Sequence, residues 1–319
     1  MENSARSRKV VCEERHIGGR AARRRTSQSA IMRERTVEFS SGSFGARVSR
    51  AVERSGPLCA GIDPSAELLR AWGLSDDIKG LRAFCQICVE AWGGGVVPVI
   101  KPQVAFFERH GSAGVAELER LIADAVDADL IVLADAKRGD VMTTAAAYAD
   151  AWLGTGSPLA VDAVTVHPFL GLAALSPLVV LAGQTGRGVI VVARSSNPEG
   201  RPLQEAMTAS GVSVEESLLA EIAALNASAD IPAGTVGAVI GATLAATTFP
   251  LSQLGGVILA PGLGAQGARP SDVASRFGGC APGSVLASSS RSLLSAGPEI
   301  SQLRKSAREL AHELSSLMG

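Results

Sequence analysis

The stretch LIVLADAKRGDVMTTAAAYADAWL (130–153) decides how the rest of the chain reads. LIVLAD (130–135) is an apolar run that closes on a charge. A strand covered by helices on both faces has this continuous apolar character, where a half-exposed strand would alternate. The charged turn KRGD follows, and residues 143–153 are helix-like. A strand that passes through a short polar turn into a helix is one βα unit.

Working outward, the same unit recurs along the chain. Candidate strands are LCAGI (58–62), VVPVI (96–100), LIVLAD (130–135), AVDAVTV (160–166), GVIVVA (188–193), VGAVIGA (236–242), GGVILA (255–260) and SVLAS (284–288). Helix-like stretches lie near 76–92, 114–128, 143–153, 170–182, 213–228, 243–253 and 271–277. A last helix over 299–317 carries Ile300, Leu303, Ala307, Leu310, Leu314 and Leu317 on one face. Eight βα units in about 260 residues predict an α/β protein with a (β/α)8 TIM barrel. An open doubly wound sheet would need a glycine fingerprint after its first strand, and CAGIDPS (59–65) is not GxGxxG.

Composition agrees with one large core. Of 319 residues, 46% are hydrophobic and 19% charged, which excludes disordered, collagen-like and histone-like chains. Aromatics at 4% argue against a stacking platform for single-stranded nucleic acid. No 18-residue apolar run is present, so no transmembrane helix is expected. The net charge of −1 hides an asymmetry. Residues 1–38 hold ten basic residues against five glutamates, a net of +5, which leaves about −6 on the other 281. With no apolar period and the run Arg23-Arg24-Arg25, residues 1–38 read as a disordered basic extension, and 39–319 as the barrel domain. Binding of RNA or membrane by the arginine run is the weaker reading, so neither is expected as a partner. Five cysteines make no disulfide framework, which fits a reducing cytoplasmic setting. Cys85 and Cys88 form a CxxC, yet they fall in the stripe Ile78, Leu81, Cys85, Cys88, Trp92, which predicts buried small hydrophobes rather than a redox or metal pair.

In a barrel the chemistry sits just beyond the carboxyl ends of the strands. There the chain places Asp63, Lys101, Asp135, Lys137, Asp140, His167, Arg194, Ser195, Ser196, Asn197, Thr243 and Arg291. The densest cluster is LADAKRGD (133–140). Asp135 and Lys137 are two apart and share a face if the strand continues. Lys101 ends the neighbouring strand, and Asp140 follows in the loop. Only five lysines occur in the chain, and two of them stand here. The set of Lys101, Asp135, Lys137 and Asp140 is charge-balanced, as burial at a mouth requires. A structural salt-bridge network is the competing explanation. A second cluster joins PGLGAQG (261–267) to Arg291. Glycine N–H groups, the Gln266 amide and a guanidinium fork suit a phosphate, and barrels often bind phosphate after strands seven and eight. His167 is expected to serve its loop. No residue pattern argues for a metal.

These residues resemble the orotidine 5′-phosphate decarboxylase family. The resemblance is carried by GIDP (61–64), VIKPQVAFFE (99–108), LADAKRGD (133–140), TVHPFLG (165–171), RSSNPEG (194–200), APGLGAQG (260–267) and Arg291. VIKPQ, HPFLG and SSNP are similar to a bacterial subgroup with a longer chain. The resemblance implies decarboxylation of orotidine 5′-phosphate to UMP in pyrimidine biosynthesis, with no cofactor. It implies that Lys137 protonates C6, that Asp135 faces the substrate carboxylate, and that Lys101 and Asp63 hold ribose hydroxyls and align the charges. Ser196 is implied at the pyrimidine edge, and Gln266 and Arg291 at the 5′-phosphate. Asp140 and Thr144 are implied to reach a neighbouring subunit's site, making a homodimer with shared sites.

One position departs from the family pattern. After Asp140 and Val141 the family usually has a small residue or proline, and this chain has Met142. Its flexible thioether is expected to find room, so activity is expected to be retained. Two other functions compete with the decarboxylase. One is a sugar-phosphate lyase on the same barrel, of the 3-keto-L-gulonate 6-phosphate decarboxylase type, which needs magnesium. The other is a non-catalytic nucleotide-binding protein that has kept the phosphate site.

Overall fold

The structure, a computed structural model, describes residues 42–243 and 247–318. The expected extension over 1–38 lies outside the described residues. The strands are β1 Leu58–Ile62, β2 Val99–Pro102, β3 Ile131–Arg138, β4 Ala163–Val166, β5 Gly188–Arg194, β6 Val236–Ile240, β7 Ile258–Pro261 and β8 Val285–Ser289. They close a parallel barrel in sequence order, with β1 paired to both β2 and β8. The helices are α1 Phe44–Ser55, α2 Ala66–Ala71, α3 Ile78–Trp92, α4 Ala105–Glu108, α5 Gly111–Asp127, α6 Met142–Leu153, α7 Ser176–Thr185, α8 Arg201–Gln204, α9 Val214–Ala227, α10 Pro270–Phe277, α11 Arg291–Leu294 and α12 Ile300–Met318. The TIM barrel expected from the alternation is the fold observed.

Two cores follow from the period of two along each strand. Cys59, Val99, Leu133, Ala163, Ile190, Val239, Leu259 and Leu286 pack with one another inside the barrel. Their neighbours Leu58, Ala60, Ile100, Val132 and Ala134 pack in the other cluster, against the helices. Both faces are buried, which is why the runs read as continuous.

The stripe on α3 is as expected at four positions, since Leu81, Cys85, Cys88 and Trp92 are buried, while Ile78 is partly exposed. On α12, Leu303, Ala307 and Leu314 are buried, but Leu317 is 47% exposed at the end of the helix.

Four expectations need correction. The second strand begins at Val99 and not at 96, which brings Lys101 inside it. The third extends to Arg138 and the fourth starts at Ala163. Asp162, placed in the strand by its apolar neighbours, instead turns its carboxylate onto the Val132 N–H at 2.8 Å and Arg47 at 2.7 Å. The helix expected over 243–253 is not seen among the described residues, where only a 3-10 turn covers Leu251–Gln253. Pro250 stands just before it and cannot donate to a preceding turn.

Helix α1 was not expected from the sequence. Ser43 caps it by accepting from the Ala46 N–H, and its Phe44 and Val48, both fully buried, pack with the inner-strand residues. It closes the amino-terminal end of the barrel. Gly188 opens β5 there, and a Cβ on it would lie 2.4 Å from the Phe44 ring, so only glycine fits.

Candidate active site

At the carboxyl ends of the strands a cavity of about 310 Å³ opens. Asp63, Lys101, Asp135 and Lys137 line one side, Ser196, Gln266 and Arg291 another, and Val192, Val239 and Leu259 supply apolar surface. A larger hollow of about 660 Å³ lies beside α10, but convergent charges rather than volume mark a site.

The strand period explains the convergence. Asp63 follows Cys59 by two steps of two, Lys101 follows Val99 and Asp135 follows Leu133, so each faces the barrel axis above the apolar core, while Lys137 reaches the same mouth through an irregular stretch of β3. Asp135 is 9% exposed and accepts from four donors. Its Oδ2 receives Lys101 Nζ at 2.9 Å and Gln103 Nε2 at 3.0 Å. Its Oδ1 receives Lys137 Nζ at 2.5 Å and Thr165 Oγ1 at 3.0 Å. One carboxylate oxygen of Asp63, Oδ1, is buried with no hydrogen-bond partner. An orphaned acceptor of this kind suits a ligand hydroxyl.

The electrostatics follow from the geometry. Burial favours a neutral Asp135, but the Lys101 and Lys137 charges and their hydrogen bonds outweigh it and hold the carboxyl well below the usual range. Burial likewise opposes charge on Lys101. The Asp135 and Asp63 carboxylates overcome it and keep this buried ammonium above the ordinary lysine range. Beneath them, burial pushes the Cys59 thiol up to about 12 despite the nearby Lys101 charge.

Other residues singled out from the sequence are placed differently. Asp140 does not join the network: its Oδ1 accepts the Val141 N–H at 2.7 Å, and neither it nor Thr144, in the first turn of α6, lines the cavity. The charge-balanced set inside this chain is completed by Asp63 instead. Arg194 is buried and paired with Glu205 and, at 2.6 Å, with Glu215, so it anchors the loop after β5. His167 also serves its loop, donating its N–H to the Arg138 carbonyl at 2.8 Å. Its imidazole is half-buried, and burial, then the Lys137 charge, hold it below its ordinary pKa. Thr243 lies beside the larger hollow.

In the glycine loop, Gly262, Gly264 and Gly267 all have positive φ. The N–H groups of Gly264, Gly267 and Ala268 bond to carbonyls within the turn. Gln266 Oε1 accepts from Ser196 Oγ at 2.6 Å, linking this loop to the one after β5. Arg291 lines the cavity and makes no ion pair among the described residues.

Gln103 and Thr165 were missed in the sequence. Each stands two residues from a residue already singled out, Lys101 and His167, and so shares its face. Neither carries a charge, which is why composition gave no prompt.

Fold and mouth together define a (β/α)8 barrel with a lysine–aspartate–lysine network, centred on the buried Asp135, at the carboxyl ends of its strands. The profile of the Orotidine 5'-phosphate decarboxylase / HUMPS family matches residues 56–306. An orotidine 5'-phosphate decarboxylase of Salinispora arenicola is 51% identical over 278 residues, which are 87% of this chain and 99% of that protein. One from Streptomyces coelicolor is 48% identical over 271 residues, 85% of this chain and 96% of that protein. The crystal structure of a protein described as an orotidine 5'-phosphate decarboxylase from Streptomyces avermitilis superposes with a TM-score of 0.82. It is 48% identical and covers 88% of this chain and 99% of its own. The chain belongs to the orotidine 5'-phosphate decarboxylase / HUMPS family.

Proposed function

We propose that this chain is a carboxy-lyase that converts orotidine 5′-phosphate to UMP and carbon dioxide in pyrimidine biosynthesis. One observation carries the reading: the buried Asp135 accepts from four donors, Lys101 and Lys137 among them, at the mouth of a barrel about half identical to named decarboxylases along nearly their whole length.

The reaction breaks the bond between C6 and the carboxyl carbon and leaves the electron pair on C6. No electron sink is attached to the substrate, so fixed charge must stabilise that carbanion. Lys137 is the group suited to supply it. Its ammonium, held by Asp135, lies against the cavity, faces the developing charge and gives C6 its proton; water then restores the ammonium. Asp135 stays ionised and stands against the substrate carboxylate, which favours its departure as neutral carbon dioxide. Lys101, locked on the other Asp135 oxygen, keeps that charge in place and, with Asp63, offers partners to ribose hydroxyls. Ser196 meets the pyrimidine edge, and Gln266 and Arg291 the 5′-phosphate. Enzymes lower barriers by about 8–23 kcal/mol, and an unassisted carbanion places this one toward the upper end. Binding energy from the remote phosphate can be used to close the loops after β5 and β7 over the base.

The active unit in this reading is a homodimer. Asp140 and Thr144 do not line their own cavity, and the adjoining Val141 (54% exposed) and Met142 (58%), with Phe169 (77%) and Leu170 (52%) after β4, are exposed apolar residues. Such surface suits a partner subunit that takes Asp140 and Thr144 into its own site. The setting we propose is the cytosol, in keeping with four described cysteines that are free thiols.

The test follows the ultraviolet absorbance of orotidine 5′-phosphate with wild type and Lys137→Ala, each with and without a chelator. Wild type is expected to turn over in both conditions, and Lys137→Ala to lose at least about 10³-fold in kcat. Turnover that survives in the alanine variant sinks the proton donor. Turnover lost to the chelator points to the magnesium-dependent sugar-phosphate branch. Binding of UMP without turnover points to a nucleotide-binding protein.

A further inference from the structure

Between β3 and β4 the ladder is irregular. Ala134 pairs with Val164 and Arg138 with Val166, so Asp135, Ala136 and Lys137 all lie opposite the single residue Thr165. A bulged strand loses regular ladder partners for its N–H groups. The Lys137 backbone is also left-handed, with φ +47°, a strained region that a lysine seldom occupies. Thr165 is 1% exposed, and its hydroxyl meets both problems. It accepts the Lys137 N–H at 2.9 Å, in place of a ladder carbonyl, and donates to Asp135 Oδ1 at 3.0 Å. That oxygen is also the one the Lys137 ammonium holds.

We propose that Thr165 is a positioning residue for the reaction: one buried hydroxyl clamps the bulge that aims Lys137 and fixes the carboxylate that Lys137 must face. The inference rests on the decarboxylase reading of the site. The geometry makes the hydroxyl, not the methyl, the working group. A hydroxyl can accept from the strained backbone and donate to the carboxylate at once, whereas valine has the same shape and offers neither. Because Thr165 does not line the cavity, its loss should leave substrate binding alone and misplace the proton donor. A misplacement near 1 Å is enough to cost about 10²-fold in rate.

The experiment compares wild type, Thr165→Val and Thr165→Ser by kcat, KM and UMP affinity. In Thr165→Val, kcat is expected to fall about 10²-fold, with KM and UMP affinity nearly unchanged. Thr165→Ser keeps the hydroxyl and is expected to recover most of the lost kcat. A valine variant with kcat close to wild type overturns the proposal. So does a serine variant as slow as valine, since the methyl would then be what counts. Should valine fail to fold, the serine variant decides alone: normal UMP affinity with kcat near wild type supports the clamp, and a large fall in kcat overturns it. Wild type that does not turn over orotidine 5′-phosphate overturns the decarboxylase reading itself, and the clamp with it, before any variant is compared.

Discussion

Asp135 is the residue on which the site turns. Four donors saturate its two oxygens, two of them charged and two neutral. The lysines hold its carboxyl below the usual range, so its contribution to stability is present above the ordinary carboxylate pKa and is lost as pH falls through the depressed value. Lys101 is held above the lysine range, so its contribution is present below the ordinary lysine pKa and lost as pH rises through the raised one. The network therefore stabilises the fold fully between about pH 4 and pH 10. Asp135→Asn is expected to cost about 3 kcal/mol, toward the low end for a broken buried pair because Asp63 still faces Lys101. Urea unfolding of the two proteins should show that gap constant from about pH 5 to pH 9. A gap that varies through neutrality would place the relevant titration elsewhere. Asp135 and Lys137 stood out in LADAKRGD and Lys101 at the end of the neighbouring strand, but Thr165 did not: its role depends on a bulge, and periodicity does not report one.

At the scale of the element, α3 settles the meaning of the CxxC. Cys85 and Cys88 lie on its buried face. Burial, joined by the Glu117 charge for Cys85 and by Cys85 itself for Cys88, raises both thiols far above the ordinary value. Neither supplies thiolate at neutral pH, and thiolate is the reactive form. A maleimide at pH 7.5, read by peptide mass spectrometry, should label neither residue in the folded protein and both in urea. Rapid labelling of the native pair would revive a redox role. The stripe was legible because a helix period needs only the order of residues. Helix α1 was harder to see. Arg47, Arg50 and Arg54 interrupt a segment whose apolar contacts, Phe44 and Val48, are few and reach into the barrel rather than along a helix layer. Phe44→Ala is expected to cost about 3–5 kcal/mol, since the ring fills the amino-terminal end of the barrel and nothing nearby replaces it. Denaturant unfolding measures this directly, and a loss under about 1 kcal/mol would mean that α1 does not plug the barrel.

At the scale of the whole molecule, complementation tests the proposed second subunit. Asp140→Ala and Lys137→Ala should each be inactive as separate homodimers. In a mixed dimer, one site combines an intact Lys137 with an intact Asp140 from the other chain, so mixing after mild dissociation should restore activity. Mixed protein that stays as inactive as its parents would place Asp140 in its own subunit's site or remove it from the chemistry. Met142 belongs to the same surface. It is 58% exposed, and its sulfur lies 3.4 Å from Ser176 Oγ, turned toward the start of α7 and clear of the cavity.

By itself, the sequence determined the barrel and the identity of its mouth. Eight apolar runs of strand length, each ending in polar residues, admit few other closed arrangements, and a period of two sends Asp63, Lys101 and Asp135 to one face. Tertiary structure alone decided which of the charges meet. Lys101 and Asp135 are 34 positions apart, and Thr165 and Asp135 are 30 apart, so their contacts depend on strand register. It also decided that Asp140 does not line its own cavity and that Arg194 anchors a loop. Asp140 accepts the Val141 N–H beyond the end of β3, and Glu215 and Glu205 hold Arg194, contacts that residue order does not encode.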